Sequence, residues 1–141
     1  TSIARCYSFL GPHLPSDQHY AITNFLYDAK YKKKIVIKKK NTVIRSYMYS
    51  DDMVQWLITI LKNSKTKTVF YNVGSDHPVE LLNLAKKITK LFKNKVLIYR
   101  ESYESKKIDK YVPIVDKTKN DLKLKILYNL PLSLKKCLKF I

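Results

Sequence analysis

The sequence predicts an α/β fold. Short apolar runs rich in β-branched residues recur at Ile35-Val36-Ile37, Val69-Phe70-Tyr71 and Val96-Leu97-Ile98-Tyr99. Two stretches, near 51–62 and 79–92, carry apolar residues at helical spacing. The two kinds of segment alternate along the chain, strand then helix.

Thr1 to Leu10 reads as one strand, apolar on both faces, stopped by Gly11-Pro12. It opens at the first residue with no preceding unit, which implies a start within a larger sheet. A loop over residues 13–19 leads to a helix over Tyr20 to Tyr31, with Ile22, Phe25, Leu26 and Ala29 inward. Ile35 to Ile37 is a short strand. A polar turn, Lys39-Lys40-Asn41, separates it from an extended stretch, Val43 to Tyr49. The next helix, Asp51 to Lys62, has Ser50 as a candidate cap and two aspartates in its first turn, where negative charge is favoured. Its predicted buried face is Met53, Val54, Leu57, Ile58 and Leu61. Val69 to Tyr71 forms a strand leading into Asn72-Val73-Gly74-Ser75. A helix over Val79 to Phe92 buries Leu81, Leu84, Ala85, Ile88 and Leu91. Val96 to Tyr99 is a strand, and shorter helices follow at 116–122 and 132–140.

Composition bounds the function. A chain of 141 residues with 45% apolar content supports one domain, residues 1–141, with a real core. No apolar run reaches the ~18 residues of a membrane span, and no positive-then-apolar leader follows Thr1. Cys6 and Cys137 form neither a disulfide framework nor a CxxC motif. A cytoplasmic protein with reduced thiols is the expectation. His13, His19 and His77 show no metal-ligand spacing, so no metal is expected.

The net charge is +17, from 25 Lys and 3 Arg against 11 acids. That excess makes nucleic acid the first partner to consider. Arginine, the residue suited to bidentate phosphate and base recognition, is nearly absent. The lysine run at Lys32–Lys34 and Lys38–Lys40 has no aromatic ladder alternating with it. A solvated, lysine-biased surface is the simpler reading, and nucleic acid is not the expected partner. Glycine is equally unusual. Only Gly11 and Gly74 occur, so no GxGxxG phosphate loop exists, and the usual way of holding a nicotinamide dinucleotide is not expected of this chain.

Four segments in order carry a resemblance: Ile3-Ala4-Arg5-Cys6-Tyr7-Ser8-Phe9-Leu10-Gly11-Pro12; Ile35-Val36-Ile37-Lys38 followed by Arg45-Ser46-Tyr47-Met48-Tyr49-Ser50-Asp51-Asp52; Tyr71-Asn72-Val73-Gly74-Ser75; and Tyr111-Val112-Pro113 with Leu122 and Pro131 beyond it. Together they resemble the C-terminal half of the NAD-dependent epimerase/dehydratase family, extended short-chain dehydrogenases that act on nucleotide sugars. The resemblance implies the last strands of an extended Rossmann-type sheet plus the small substrate-binding subdomain. It implies a nucleoside diphosphate sugar as ligand and an epimerase or 4,6-dehydratase reaction. It also implies that NAD is held mainly by an N-terminal half absent from this chain. That half would be supplied in cis or as a separate chain, this chain alone being inactive and the parent protein a homodimer. A stand-alone module that binds an anion or nucleotide sugar without redox activity is the alternative, and a lysine-rich nucleic-acid binder ranks behind it. The family's catalytic Tyr-x-x-x-Lys pair has no counterpart. Tyr103 to Lys107 has the spacing by chance, and no catalytic residue is assigned.

The same resemblance implies site residues. Arg45 matches an arginine that binds the substrate's diphosphate side. Ser8 stands where relatives carry an Asn, with a shorter reach and no amide donor. His19, Asn24, Tyr47, Asn72 and Lys110 complete the substrate set. Tyr7, Phe9, Gly11 and Pro12 match the strand end beside the nicotinamide. Asp52 reads as first-turn charge, or as a group that orients Arg45 or the neighbouring loop. Three positions depart from the family. Lys39-Lys40-Asn41 replaces a glycine-containing turn, Lys123 replaces a glycine, and Glu80 replaces a capping Ser or Thr.

Overall fold

The computed structural model describes residues 1–14, 20–93, 95–100 and 107–141. Among the described residues, nine strands and five α-helices alternate broadly as the periodicity predicts. The strands are β1 (Ser2–Cys6), β2 (Phe9–Leu10), β3 (Lys34–Ile37), β4 (Thr42–Arg45), β5 (Met48–Tyr49), β6 (Val69–Val73), β7 (Val79–Glu80), β8 (Leu97–Arg100) and β9 (Ile108–Tyr111). The helices are α1 (Ala21–Tyr27), α2 (Ser50–Lys62), α3 (Leu81–Thr89), α4 (Asp116–Leu122) and α5 (Leu130–Cys137).

The strands form small parallel ladders. β1 pairs with β6 from Ser2 opposite Val69 to Cys6 opposite Val73. α2 lies between these two strands in sequence and packs on them, giving a β-α-β unit. β2 pairs with β5, and β3 with β8. β4 is central in a three-stranded sheet, antiparallel to β7 and parallel to β9. β9 was not expected from sequence. Ile108-Asp109-Lys110-Tyr111 has one aliphatic residue among polar ones, so pattern alone does not mark it. Its register against β4 makes the strand.

Two cores follow. The larger joins α1, α3, α5 and strands β3 and β4 through Ile22, Leu26, Ile35, Leu84, Ile88 and Leu134. The smaller lies between α2, β6 and α4 and centres on Trp56, with Met48, Ile60, Tyr71 and Val73. The Trp56 indole N–H donates to the Lys125 carbonyl at 3.2 Å, so the ring is buried without an orphaned donor.

Several local expectations change. The strand over Thr1–Leu10 breaks at Tyr7-Ser8, and β1 is half exposed rather than buried on both faces. The helix from Tyr20 becomes a shorter α1, continued by a π-helical turn over Asp28–Lys32 that ends at left-handed Lys33 (φ 53°). Ser50 is the first helical residue of α2 and caps nothing. The inward face of α2 is rotated. Trp56 and Ile60 are buried with Met53 and Leu57 beside them, whereas Val54, Ile58 and Leu61 face solvent. The helix expected over Val79–Phe92 starts at Leu81, because Val79-Glu80 extends to pair with β4. Glu80 makes no side-chain cap there. Asn41 keeps a negative φ, so the turn after β3 needs no left-handed residue. Lys123, replacing a family glycine, does adopt φ 54° at the end of α4.

Neither glycine has a positive φ. Both are required by space. A Cβ at Gly11 would lie 2.7 Å from Ser50 Oγ, and one at Gly74 would lie 2.9 Å from Pro113 Cγ.

Candidate functional site

Strand alternation and the break after β1 bring part of the expected site together. A cavity of about 360 Å³ is lined by Tyr7, Ser8, Phe9, Tyr20, Lys39, Arg45 and Tyr47, with apolar Ile22, Val43 and Leu81 behind them. Met48 N–H donates to the Ser8 carbonyl at 3.0 Å, fixing the break in the first strand against β5. Tyr7 stacks on Tyr111 with ring centroids 4.8 Å apart, which ties the cavity wall to β9.

Arg45 reaches this wall fully engaged. Its guanidinium forks onto Asp109, with Nη1 to Oδ1 at 3.1 Å and Nη2 to Oδ2 at 2.8 Å. Nη1 also donates to the carbonyls of Ile44 and Asp109, each at 2.9 Å. The parallel β4–β9 register sets Val43 opposite Asp109 and thereby aligns the fork. The Arg45 hydrogen bonds hold the Asp109 carboxyl below its ordinary range. An anion entering the cavity therefore meets Arg45 in competition with Asp109 and meets Lys39 as a second cation. Sequence reading passed over both Lys39 and Asp109. The lysine was one of a run, and Asp109 lies in a strand that carries no pattern.

Tyr47 is the other informative group. Burial pushes its hydroxyl up to about 12, with Arg45 opposing weakly. At neutral pH it is a phenol that can donate a hydrogen bond, not a base.

The remaining residues are dispersed. Gly11 and Pro12 line a different cavity, of about 220 Å³, with His13, Tyr27, Tyr31 and Cys137. Asn24 borders an open groove between α1 and β3. The Asn72 amide donates to the Ile114 carbonyl at 2.8 Å, and its own carbonyl accepts from Thr118 at 2.9 Å, so it fastens β6 to α4. Lys110 is exposed and alternates away from Asp109 on β9. His19 and Tyr103 lie outside the described residues.

Asp52 has a structural task that spacing did not reveal. It is completely buried. Its carboxylate accepts from the backbone N–H of Leu127 (3.1 Å) and Tyr128 (3.0 Å), pinning the segment before α5 to α2. It does not touch Arg45, whose partner is Asp109.

The pyrophosphate of a nicotinamide dinucleotide needs a backbone cradle of the glycine-loop kind. At both glycines that space is filled by this chain's own Ser50 and Pro113 side chains. The described residues therefore do not present such a cradle. Among the described residues no group of three His, Cys, Asp or Glu side chains could hold a metal ion. No described helix is long and apolar enough to cross a membrane.

Comparison with known proteins places this geometry. The profile of the NAD dependent epimerase/dehydratase family matches residues 1–74. The chain is 28% identical over 96 residues to UDP-glucuronic acid decarboxylase 6 of Arabidopsis thaliana, covering 68% of this chain and 27% of that protein. It is 26% identical over 122 residues to dTDP-D-glucose 4,6-dehydratase of Bos taurus, covering 86% and 32%. The structure of MoeE5 in complex with UDP-glucuronic acid and NAD superposes with a TM-score of 0.82 at 14% identity, over 99% of this chain and 46% of that one. The chain thus spans about a third or less of these curated relatives and under half of that structure.

These matches correct the expectation of a C-terminal remnant. The family profile falls on residues 1–74, the N-terminal portion of this chain, where β1, α2 and β6 form the β-α-β unit. The Rossmann-like epimerase/dehydratase fold extends over nearly all of the chain, not over a substrate-binding subdomain alone. Dependence on a separate N-terminal half is unsupported by these matches in each role assigned to it: as partner, as the main holder of NAD, and as the condition for activity. With its profile match over more than half its length and its fold shared across it, the chain belongs to the NAD dependent epimerase/dehydratase family.

Proposed function

We propose that this chain binds a nucleoside diphosphate sugar in the cavity bounded by Tyr7, Ser8, Lys39, Arg45 and Tyr47, in the service of NAD-dependent epimerase or dehydratase chemistry. The observation that carries the reading is the convergence of two cations, Lys39 and Arg45, and four hydroxyls, of Tyr7, Ser8, Tyr20 and Tyr47, on one cavity of about 360 Å³. Lys39 supplies charge without fixed direction, and Arg45 supplies a guanidinium that phosphate oxygens would share with Asp109. The neutral phenol of Tyr47 and the hydroxyl of Ser8 can bond sugar or ribose hydroxyls. The apolar wall at Ile22, Val43 and Leu81 gives a base a dry surface. Relatives that act on UDP-glucuronic acid and dTDP-glucose support the ligand class. A cytoplasmic setting belongs to the same reading and is supported by the exposed free thiol of Cys6.

Isothermal titration calorimetry with UDP-glucose and dTDP-glucose tests the proposal, with NAD titrated separately. Saturable binding of a nucleotide sugar is expected, weakened about tenfold or more in Arg45→Ala and less in Lys39→Ala. Folded protein that binds neither nucleotide sugar at millimolar concentration would sink it.

A further inference from the structure

We propose that the open groove between α1 and β3 is a binding track for single-stranded nucleic acid. The groove has a volume of about 880 Å³ and is lined by Lys32, Lys34, Lys38 and Lys39, with Tyr27 on its rim. Asp28 is the one acid among its described lining residues, and it is already paired with Lys32 at 2.7 Å. The groove therefore presents a surplus of cations to any anion that enters it.

The sequence shows lysines here without an aromatic ladder. Folding supplies the aromatics. The π-helical turn after α1 sets Tyr27 beside Tyr31, ring centroids 4.7 Å apart and the planes tilted by 45°, with Lys32 over the first ring and Lys30 over the second. The parallel β3–β8 register sets Val36 opposite Tyr99 and brings the Lys34 ammonium to 4.1 Å from the Tyr99 centroid. Ile35 and Ile37 point into the core, so Lys34, Val36, Lys38 and Tyr99 share the outward face. Tyr27, Tyr31 and Tyr99 are all exposed.

Lysines tracking a backbone beside exposed aromatic faces are the two parts of a sequence-tolerant single-strand site. Lysine serves that purpose without the arginine fork, because phosphate attraction along a strand needs charge rather than bidentate geometry. Duplex is a poorer fit, since the tyrosines reach only unstacked bases. A lipid surface is also a poorer fit, since the cations line a concavity and Leu97 is the one strongly exposed aliphatic residue described on β3 and β8.

The test is fluorescence anisotropy with a labelled dT12 oligonucleotide over a series of salt concentrations. It compares the natural chain, Lys34→Gln/Lys38→Gln, Tyr27→Ala/Tyr99→Ala and, as a control of equal charge, Lys86→Gln/Lys87→Gln on the outer face of α3. Circular dichroism melts establish that each variant is folded. The groove lysine pair is expected to weaken binding about tenfold and to flatten the log–log salt slope by about 1.4, at about 0.7 per phosphate contact on a single strand. The tyrosine pair is expected to weaken binding about fivefold or more with the slope unchanged. The α3 control should change affinity less than twofold. Equal losses in the groove and control pairs would overturn the proposal, as would tighter binding to a duplex of the same length. Binding to vesicles of 30% phosphatidylserine that persists when dT12 does not bind would also overturn it.

Discussion

Asp52 shows how a residue's task can differ from its apparent one. By position it is a first-turn acid on a helix dipole. By structure it is a buried acceptor for two backbone N–H groups. Asp52→Ala leaves both donors unpaired in the interior and is expected to cost about 2–4 kcal/mol in urea denaturation. Asp52→Asn keeps one acceptor oxygen and is expected to cost less. Lys123 presents the opposite case. A side chain with a Cβ is disfavoured at φ 54°, and glycine removes that cost. Lys123→Gly is expected to raise stability by about 0.5–1 kcal/mol in the same assay, with α4 unchanged.

The Arg45–Asp109 pair and Tyr47 set opposite ends of a pH profile. Asp109 is depressed by the Arg45 hydrogen bonds. Its contribution is present above the ordinary carboxylate range and is lost as pH falls through the lowered value. Tyr47 is raised by burial, so its contribution is full below about 10 and is lost as pH rises through about 12. Thermal melts against pH should show both limbs. Asp109→Asn should flatten the acid limb, and Tyr47→Phe the alkaline one. Arg45, Tyr47 and Ser8, which line one cavity, were singled out in the sequence because they lie within segments that resemble the family. Asp109 was not, because what makes it a partner is the β4–β9 register.

At the scale of elements, α2 carries the clearest lesson. Its sequence offers two apolar stripes. Val54, Ile58 and Leu61 form a regular one, and Met53, Trp56, Leu57 and Ile60 form another. Periodicity ranks these stripes poorly. What separates them is the surface beneath, where Ala4, Tyr71 and Val73 of the β1–β6 pair accept the indole. Trp56→Ala is expected to cost about 3–5 kcal/mol by cavity formation. Leu61, 74% exposed, should tolerate Ala within about 0.5 kcal/mol. Equal losses in chemical denaturation would mean that the helix is seated on its other face. The strand break at Tyr7-Ser8 was hidden for a similar reason. Nothing in a mostly apolar run announces that its end will leave β6 and pair with β5.

At the scale of the whole molecule, two cores share a chain with a large positive charge. β1 pairs with β6 alone among the described strands, and Ile3 and Phe70 are exposed on the face away from α2. An apolar, incompletely paired edge favours association. Concentration-dependent sedimentation is expected, becoming weaker in Ile3→Lys. An unchanged sedimentation profile would show that the +17 charge already keeps the molecules apart.

The sequence by itself determined the α/β alternation, the positions of α2, α3 and α4 to within a few residues, the family, and the core of the candidate cavity. Those properties are local. Periodicity, turn residues and short motifs are each written in neighbouring positions. Only the tertiary structure decided which stripe of α2 is buried, which residue engages Arg45, what Asp52 holds, and that tyrosines from two elements flank the lysine run. Each of those depends on register between segments far apart in the chain, and register is fixed by how strands pair and cores fill.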